Sequence, residues 1–305
     1  MRSIFVMLFL FVAFPVFGQF ELLESAKPET LSQMQIEEIM GADSKKDTLA
    51  NGYLASRHVA CLFDAYGYRY TGGEYKNDLI SFRLRLPPSY VANPDSDKKY
   101  PLIIWFHGGG GRGDDNQKQL AHIQHILPLL TGEGAKDFFL LATQCPVRHG
   151  FWTTERDDPL DIADTPLAYT EEIFDTLVET YPIDKDKISV VGFCAGMFAV
   201  RQFIEDRPNT VAAAVAISYA MPKKFDDRPV TDVALWFFYV EKDPATNPDT
   251  IKSYVERVNK LGGNAKTTEC KRETGDAHNS WYAAFVKYKA FEWLLEQKRK
   301  SPEEK

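Results

Sequence analysis

Cysteine is scarce and scattered: Cys61, Cys145, Cys194 and Cys270 are all there is in 305 residues, with no CxxC pair and no Cys/His cluster. That spacing excludes a zinc module. Basic residues are outnumbered too. With 36 Lys and Arg against 43 Asp and Glu, the net charge is −7, which argues against a nucleic-acid partner and against a basic membrane-binding face. Past the first twenty residues there is no apolar run long enough to cross a bilayer. There is no internal repeat, and only the tail KRKSPEEK is low in complexity. No residue pattern asks for a metal or a cofactor. What is abundant is ordinary: 44% hydrophobic and 13% aromatic residues suit a globular enzyme.

The start, MRSIFVMLFLFVAFPVFGQF, has a positive n-region at Arg2, an apolar stretch over residues 4–14, and Val16, Phe17 and Gly18 as a cleavage site before Gln19. This anatomy predicts a signal peptide over 1–18, with an uncleaved anchor as the competing reading. A secreted or periplasmic protein follows, with no membrane contact once the peptide is removed. The remainder is long enough for one large α/β domain with a full core. Export also permits one disulfide among Cys61, Cys145 and Cys270, the pair being left open. A free thiol at Cys194 is unusual in an oxidising compartment.

Residues 19–76 read as an N-terminal extension packed on the domain. Leu31, Met34, Ile36 and Met40 recur loosely at helical period before the loop-like GADSKKDTLANG. The domain proper is 77–298, and 299–305 is a solvated tail. In DLISFRLRLPPSY, Ile80, Phe82, Leu84 and Leu86 alternate with polar residues, predicting a half-buried strand that ends at Pro87 and Pro88. YPLIIWFH, DFFLLATQ, ISVVG, AAAVAIS and VALWFFYV are short unbroken apolar runs, the pattern of strands covered on both faces. Between and after them, 117–130, 168–181, 195–206, 249–261 and 280–298 carry helical spacing, as with Ile173, Leu177 and Tyr181. Such alternation predicts a three-layer α/β fold, a doubly wound and mostly parallel sheet.

Sheets of this kind collect ligands at the carboxyl ends of their strands. The residues there are His107 with Gly108, Gly109, Gly110 and Gly111, then Gly192-Phe193-Cys194-Ala195-Gly196, then Glu241-Lys242-Asp243, and late in the chain Asp276-Ala277-His278. The motif SVVGFCAGM reads as a strand turning sharply into a helix, with Cys194 where a nucleophile elbow would put its nucleophile. Nucleophile, acid and histidine then follow in the α/β-hydrolase order, with room for a strand and a helix between each. Cys194, Asp243 and His278 are the expected catalytic residues, and Ala195 with Gly109 or Gly110 the expected oxyanion donors. Asp276, with Glu241 behind it, is the rival acid, but its position after a strand favours Asp243.

The blocks YPLIIWFHGGGGRGDDNQKQL, ATQCP with FW, YPIDKDKISVVGFCAG and GDAHNSW resemble the exported esterases of the α/β-hydrolase superfamily often labelled predicted peptidases. These are relatives of polyhydroxyalkanoate depolymerase-like and feruloyl or acetyl esterase-type proteins. The resemblance covers about residues 77–298. It implies an ester hydrolase acting on a small-molecule or carbohydrate-linked ester, and a serine where this chain has Cys194; Met197 also replaces an expected glycine. Dienelactone hydrolase-like members of the superfamily carry cysteine at the elbow.

A thiol there has physical support, since a helix N-terminus and a protonated histidine both stabilise a thiolate. The competing reading is a catalytically silent binding protein in which Cys194 is a small buried hydrophobe. His107 reads as a brace for the glycine turn. Arg112, Asp114 and Asp115 read as a local ion-pair and capping network. Trp152 and Trp281 are candidate pocket walls or core, and His122 with His125 lack a third metal ligand.

Overall fold

Each of the apolar runs becomes a strand, because each has a covering layer on both sides. The computed structural model describes residues 20–27, 39, 55–153, 165–218, 230–271 and 278–299. The strands are β1 (Phe20–Glu24), β2 (Asp64–Arg69), β3 (Leu79–Arg85), β4 (Tyr100–Phe106), β5 (Phe139–Thr143), β6 (Ile183–Phe193), β7 (Ala213–Ile217), β8 (Ala234–Val240) and β9 (Asn264–Cys270). They form one sheet in the order β1-β2-β3-β5-β4-β6-β7-β8-β9. The β1/β2, β2/β3 and β3/β5 pairs are antiparallel, and β5 through β9 run parallel.

Helices among the described residues include α1 (Pro88–Ala92), α2 (Leu127–Leu130), α3 (Pro166–Thr180), α4 (Gly196–Asp206), α5 (Pro248–Lys260) and α6 (Ala290–Glu296). Their limits follow local chemistry. Helix α5 begins where the Asn247 side chain accepts the Thr250 N–H at 3.2 Å, with Pro248 in the first turn. Helix α3 opens with Pro166 and stops at Tyr181, whose successor Pro182 disfavours a helical residue before it.

Alternation along each strand splits the interior in two. Strand β4 sends Leu102, Ile104 and Phe106 to one face and Ile103 and Trp105 to the other; β8 does the same with Leu235, Phe237, Tyr239 against Trp236, Phe238, Val240. Helices α3, α4 and α5 cover the first face through Ile173, Phe203 and Tyr254, while α2 and α6 cover the second through Leu127 and Phe291. Burying each such side chain contributes roughly 1.5–3 kcal/mol, so two sealed faces suffice to hold the layers. The expected three-layer, mostly parallel sheet is the one found.

Several local expectations change. Residues 20–24 and 64–69, from the stretch read as an extension, supply two strands of the same sheet. The segment 117–130 is no continuous helix: 3-10 turns at Lys118–Leu120 and Ile123–Ile126 flank His122, whose φ of 72° is left-handed, and only then does α2 form. The last helix is broken likewise, a π turn over Ala283–Lys287 being separated from α6 by Lys289 at φ 55°. All four cysteines are free thiols, so the disulfide that export would permit is not formed. The signal-peptide segment, the predicted helix around 31–40 apart from Ile39, the end of the tail and Asp276 lie outside the described residues. No helix among the described residues is long and apolar enough to cross a membrane.

Strand β3 is not half-buried. Arg83 and Arg85, its supposed solvent face, are buried beneath the loops that follow β4 and α2. Arg85 donates to the carbonyls of Leu130 (3.0 Å), Lys136 (3.0 Å) and Phe138 (2.9 Å), gathering the chain end of α2 and the approach to β5 around one guanidinium. Burial lowers its pKa to about 10, which still leaves it charged at neutral pH. Arg85→Met is expected to cost about 3 kcal/mol of unfolding free energy in urea titration, since charged hydrogen bonds of this kind are worth ~1.5–3 kcal/mol and the carbonyls are left without a donor.

Candidate active site

Strand β4 is followed in sequence by β5 on one side, and β5 by β6 on the other side of β4. Connections thus diverge at the carboxyl ends of β4 and β6, which is where an open α/β sheet leaves a crevice. His107 and the glycine turn emerge from the first of these strands, Cys194 from the second.

Cys194 sits in the left-handed region at φ 50°, between the last residue of β6 and the first turn of α4. Its N–H donates to the Ile217 carbonyl at 2.9 Å, and its own carbonyl accepts the Met197 N–H at 3.0 Å. The turn is tight enough to demand glycine on both flanks. A Cβ on Gly192 would lie 2.6 Å from the Gly196 carbonyl oxygen, and one on Gly196 would overlap the Phe106 carbonyl. Helix α4 therefore docks its start directly on β4, and the N–H of Ala195, just before the helix, reaches the sulfur. Met197, standing where the resemblance expects glycine, packs into the core below.

The other two expected side chains meet there. His278 Nδ1 lies 2.8 Å from Asp243 Oδ2, and the ring's remaining nitrogen is left for the Cys194 sulfur, to which it is hydrogen-bonded. Asp243 has a fully buried side chain that is nonetheless saturated: Oδ1 accepts the Ala245 N–H at 2.9 Å, and Oδ2 also accepts the Thr246 hydroxyl at 2.9 Å. Burial pushes its carboxyl pKa up, but the bond to His278 and these donors outweigh it and hold the group below its usual range. Burial likewise opposes charge on His278, yet Asp243 and then Cys194 raise its pKa to about 10. For Cys194, burial is outweighed by the bond to His278, its charge, and the N–H groups of Ala195 and Gly109, so the thiol is lowered. Opposite shifts in facing groups favour a thiolate–imidazolium pair.

The glycine turn supplies the second N–H. Gly109–Gly111 form a 3-10 turn, and Gly109 is the loop residue whose N–H reaches the sulfur, while Gly110 is exposed. His107 braces this turn. Its Nε2 accepts the Cys145 N–H at 3.0 Å, so Nδ1 carries the proton and donates to the Gly108 carbonyl at 2.7 Å. Burial lowers its pKa to about 4, keeping it neutral. Farther along, Gln144 Nε2 donates to the Gly111 carbonyl and to Asp115, both at 3.0 Å, and its Oε1 accepts the Asn116 N–H at 2.7 Å. The HGGGGRGDDN and ATQCP blocks are thus two halves of one hydrogen-bonded platform.

Not every expected residue reaches the crevice. Trp152 and Trp281 are 1% and 0% exposed, which puts both indoles in the interior and not on an open wall. Trp152 donates its Nε1–H to the His107 carbonyl at 2.9 Å; Trp281 packs against His122 and Phe193. His122 and His125 lie among aromatic rings, and no three His, Cys, Asp or Glu side chains gather as metal ligands among the described residues. Glu241 pairs with Lys242 on the surface, away from His278.

Three contributors escaped the sequence. Ser218, at φ 53° just past β7, donates its hydroxyl to the His278 carbonyl at 2.6 Å and bonds Ser280, pinning the histidine loop. Thr246 ties down Asp243. Phe151 is 48% exposed beside the glycine turn, 3.5 Å from where a Gly109 Cβ would stand. The polar residue that ends AAAVAIS at a strand's carboxyl end is the available signal for Ser218, and the FW pair is the signal for Phe151.

No family model matches the sequence, and no curated protein matches it. Solved structures do. A thermostable esterase is 28% identical with a TM-score of 0.67, the match covering 79% of this chain and 64% of that one. This chain therefore spans under two thirds of that esterase's length. A ferulic acid esterase (14% identity, TM-score 0.55, 76% of this chain and 96% of that one) and the S-formylglutathione hydrolase FrmB from Staphylococcus aureus (12%, 0.53, 77% and 98%) share the architecture. The fold is that of the α/β hydrolases.

Proposed function

We propose that the protein is an exported carboxylic-ester hydrolase working through Cys194, His278 and Asp243. The observation that carries the reading is the focus on one sulfur: His278, itself bonded to Asp243 at 2.8 Å, on one side, and the Ala195 and Gly109 N–H groups on the other. Likeness to esterases lends support for ester substrates. Export rests on the N-terminal sequence pattern, and a small or carbohydrate-linked ester on the resemblance of the motifs.

The thiolate attacks the ester carbonyl, and the two N–H groups hold the oxyanion, a contribution of about 3 kcal/mol per donor in comparable sites. As the tetrahedral adduct collapses, His278 Nε2–H gives its proton to the departing alkoxide, leaving a thioester on Cys194. Water then attacks with His278 as base; the second collapse releases the acid and restores the thiolate–imidazolium pair. Asp243 accepts from Nδ1 throughout, fixing the tautomer that presents Nε2 to the reaction.

Iodoacetamide at neutral pH is expected to alkylate Cys194 and remove p-nitrophenyl acetate hydrolysis in one-to-one proportion, followed by mass spectrometry and absorbance. Because the folded thiol pKa is lowered, the alkylation rate should fall only as pH drops through that lowered value. In His278→Ala the midpoint moves up toward about 8.5, the unperturbed thiol, and the neutral rate drops about tenfold. A thiol that is inert at neutral pH, in a protein that hydrolyses nothing, sinks the proposal and leaves the binding-protein reading.

A further inference from the structure

Arg112 is a half-buried cation with no counter-charge among the described residues. Its Nε–H donates to the Gly109 carbonyl at 3.3 Å, and its guanidinium lies 4.2 Å over the Phe151 ring. Among the described residues no carboxylate pairs with it and no acceptor takes a hydrogen from either Nη. The acids on its own loop are turned elsewhere: Asp115 holds Lys118 at 3.1 Å, and Asp114 acts on Arg148 and His149. In a chain of net charge −7, a guanidinium unclaimed among the described residues is a marked feature.

Its position gives it meaning. Gly109, whose carbonyl it holds, is the residue whose N–H reaches the Cys194 sulfur, and the exposed Phe151 ring borders the same glycine. A guanidinium stacked on an aromatic face keeps its plane fixed and its outer N–H pair free, the arrangement that takes a carboxylate through two parallel hydrogen bonds. We propose that Arg112, braced on Phe151, recognises a carboxylate on the substrate within a few bonds of the scissile carbonyl. The preferred substrates are then acidic esters, of the class of dicarboxylic-acid half-esters. This deepens the proposed hydrolase reading and rests on it for the word ester; the recognition of the carboxylate does not need turnover.

The test is a matched pair of alkylating agents on the full chain. Iodoacetate and iodoacetamide differ by one charge, so the ratio of their rate constants at Cys194 reports carboxylate recognition and cancels general damage to the loop. In Arg112→Met that ratio is expected to fall about tenfold, the scale of a lost charged hydrogen bond, and in Arg112→Lys by less. On the unaltered protein, which needs no variant to fold, succinate should slow iodoacetamide alkylation and neutral succinamide should not. Hydrolysis should show the same preference, with p-nitrophenyl hemisuccinate favoured over the butyrate and the preference lost in Arg112→Met. An unchanged alkylation ratio, or equal protection by succinate and succinamide, overturns the carboxylate site. A changed ratio in a protein that cleaves neither ester overturns the hydrolase and spares the site.

Discussion

Cys194→Ala is expected to lower kcat/KM for p-nitrophenyl acetate by about ten-thousandfold or more, the order seen when a nucleophile is deleted from a triad that acts as a unit. Three features converge on its sulfur: the imidazole of His278, the Ala195 N–H at the start of α4, and the Gly109 N–H. On the proposed mechanism, removing the atom they share leaves the oxyanion donors without a nucleophile. Alanine also keeps the backbone turn, since it adds no branching and removes no hydrogen bond that the main chain makes. A loss of activity with unchanged thermal unfolding therefore assigns the effect to chemistry. Cys194→Ser, which offers a hydroxyl to the same base, is expected to hydrolyse the ester while becoming indifferent to iodoacetamide. Wild-type turnover in the alanine variant would show that the reaction passes elsewhere.

Asp243→Asn is expected to reduce kcat about ten-thousandfold with little change in KM, by reversing one hydrogen bond. The Ala245 N–H fixes an acceptor at Oδ1, so the amide nitrogen must take the Oδ2 position facing His278 Nδ1. Donating there, it forces the ring's proton onto Nε2 and denies the thiol its base. The iodoacetamide rate should fall in parallel, since the ion pair is lost. Stability carries a second signature. Because the folded pKa of Asp243 is depressed, its stabilising contribution is present above the ordinary carboxylate pKa near 3.9 and is lost as pH falls through the folded value. Thermal unfolding at pH 6 and pH 3 should therefore diverge less in Asp243→Asn than in the wild type. A variant with normal kcat would remove Asp243 from the machinery.

The parallel half of the sheet was legible because its strands are unbroken apolar runs ending in turn residues; YPLIIWF and ALWFFYV are also short and rich in branched or aromatic side chains, which favours strand over buried helix. The elbow was legible for a related reason, as two glycines flanking Cys194 at a strand end mark a turn with no room for Cβ. Legibility failed where tertiary contacts override periodicity. Residues 117–130 have helical spacing, yet His122 adopts φ 72° and packs its ring between Phe193 and Trp281, which breaks the run into short turns. Arg83 and Arg85 look like solvent-facing partners in an alternating strand, since sequence does not reveal that backbone carbonyls wait for them across more than twenty residues. At FW the sequence leaves Trp152 open between pocket wall and core; the His107 carbonyl draws Trp152 inward and Phe151 remains outside.

The positive φ of Cys194 sets which replacements evolution can sample there. A side chain branched at its first carbon collides with the main chain in that conformation, so threonine is barred although it carries a suitable hydroxyl. Serine and cysteine differ by one chalcogen and leave the geometry alone. An ancestral swap between oxygen and sulfur would then be a short step, taken in either direction, while the branched hydroxyl of threonine remains out of reach.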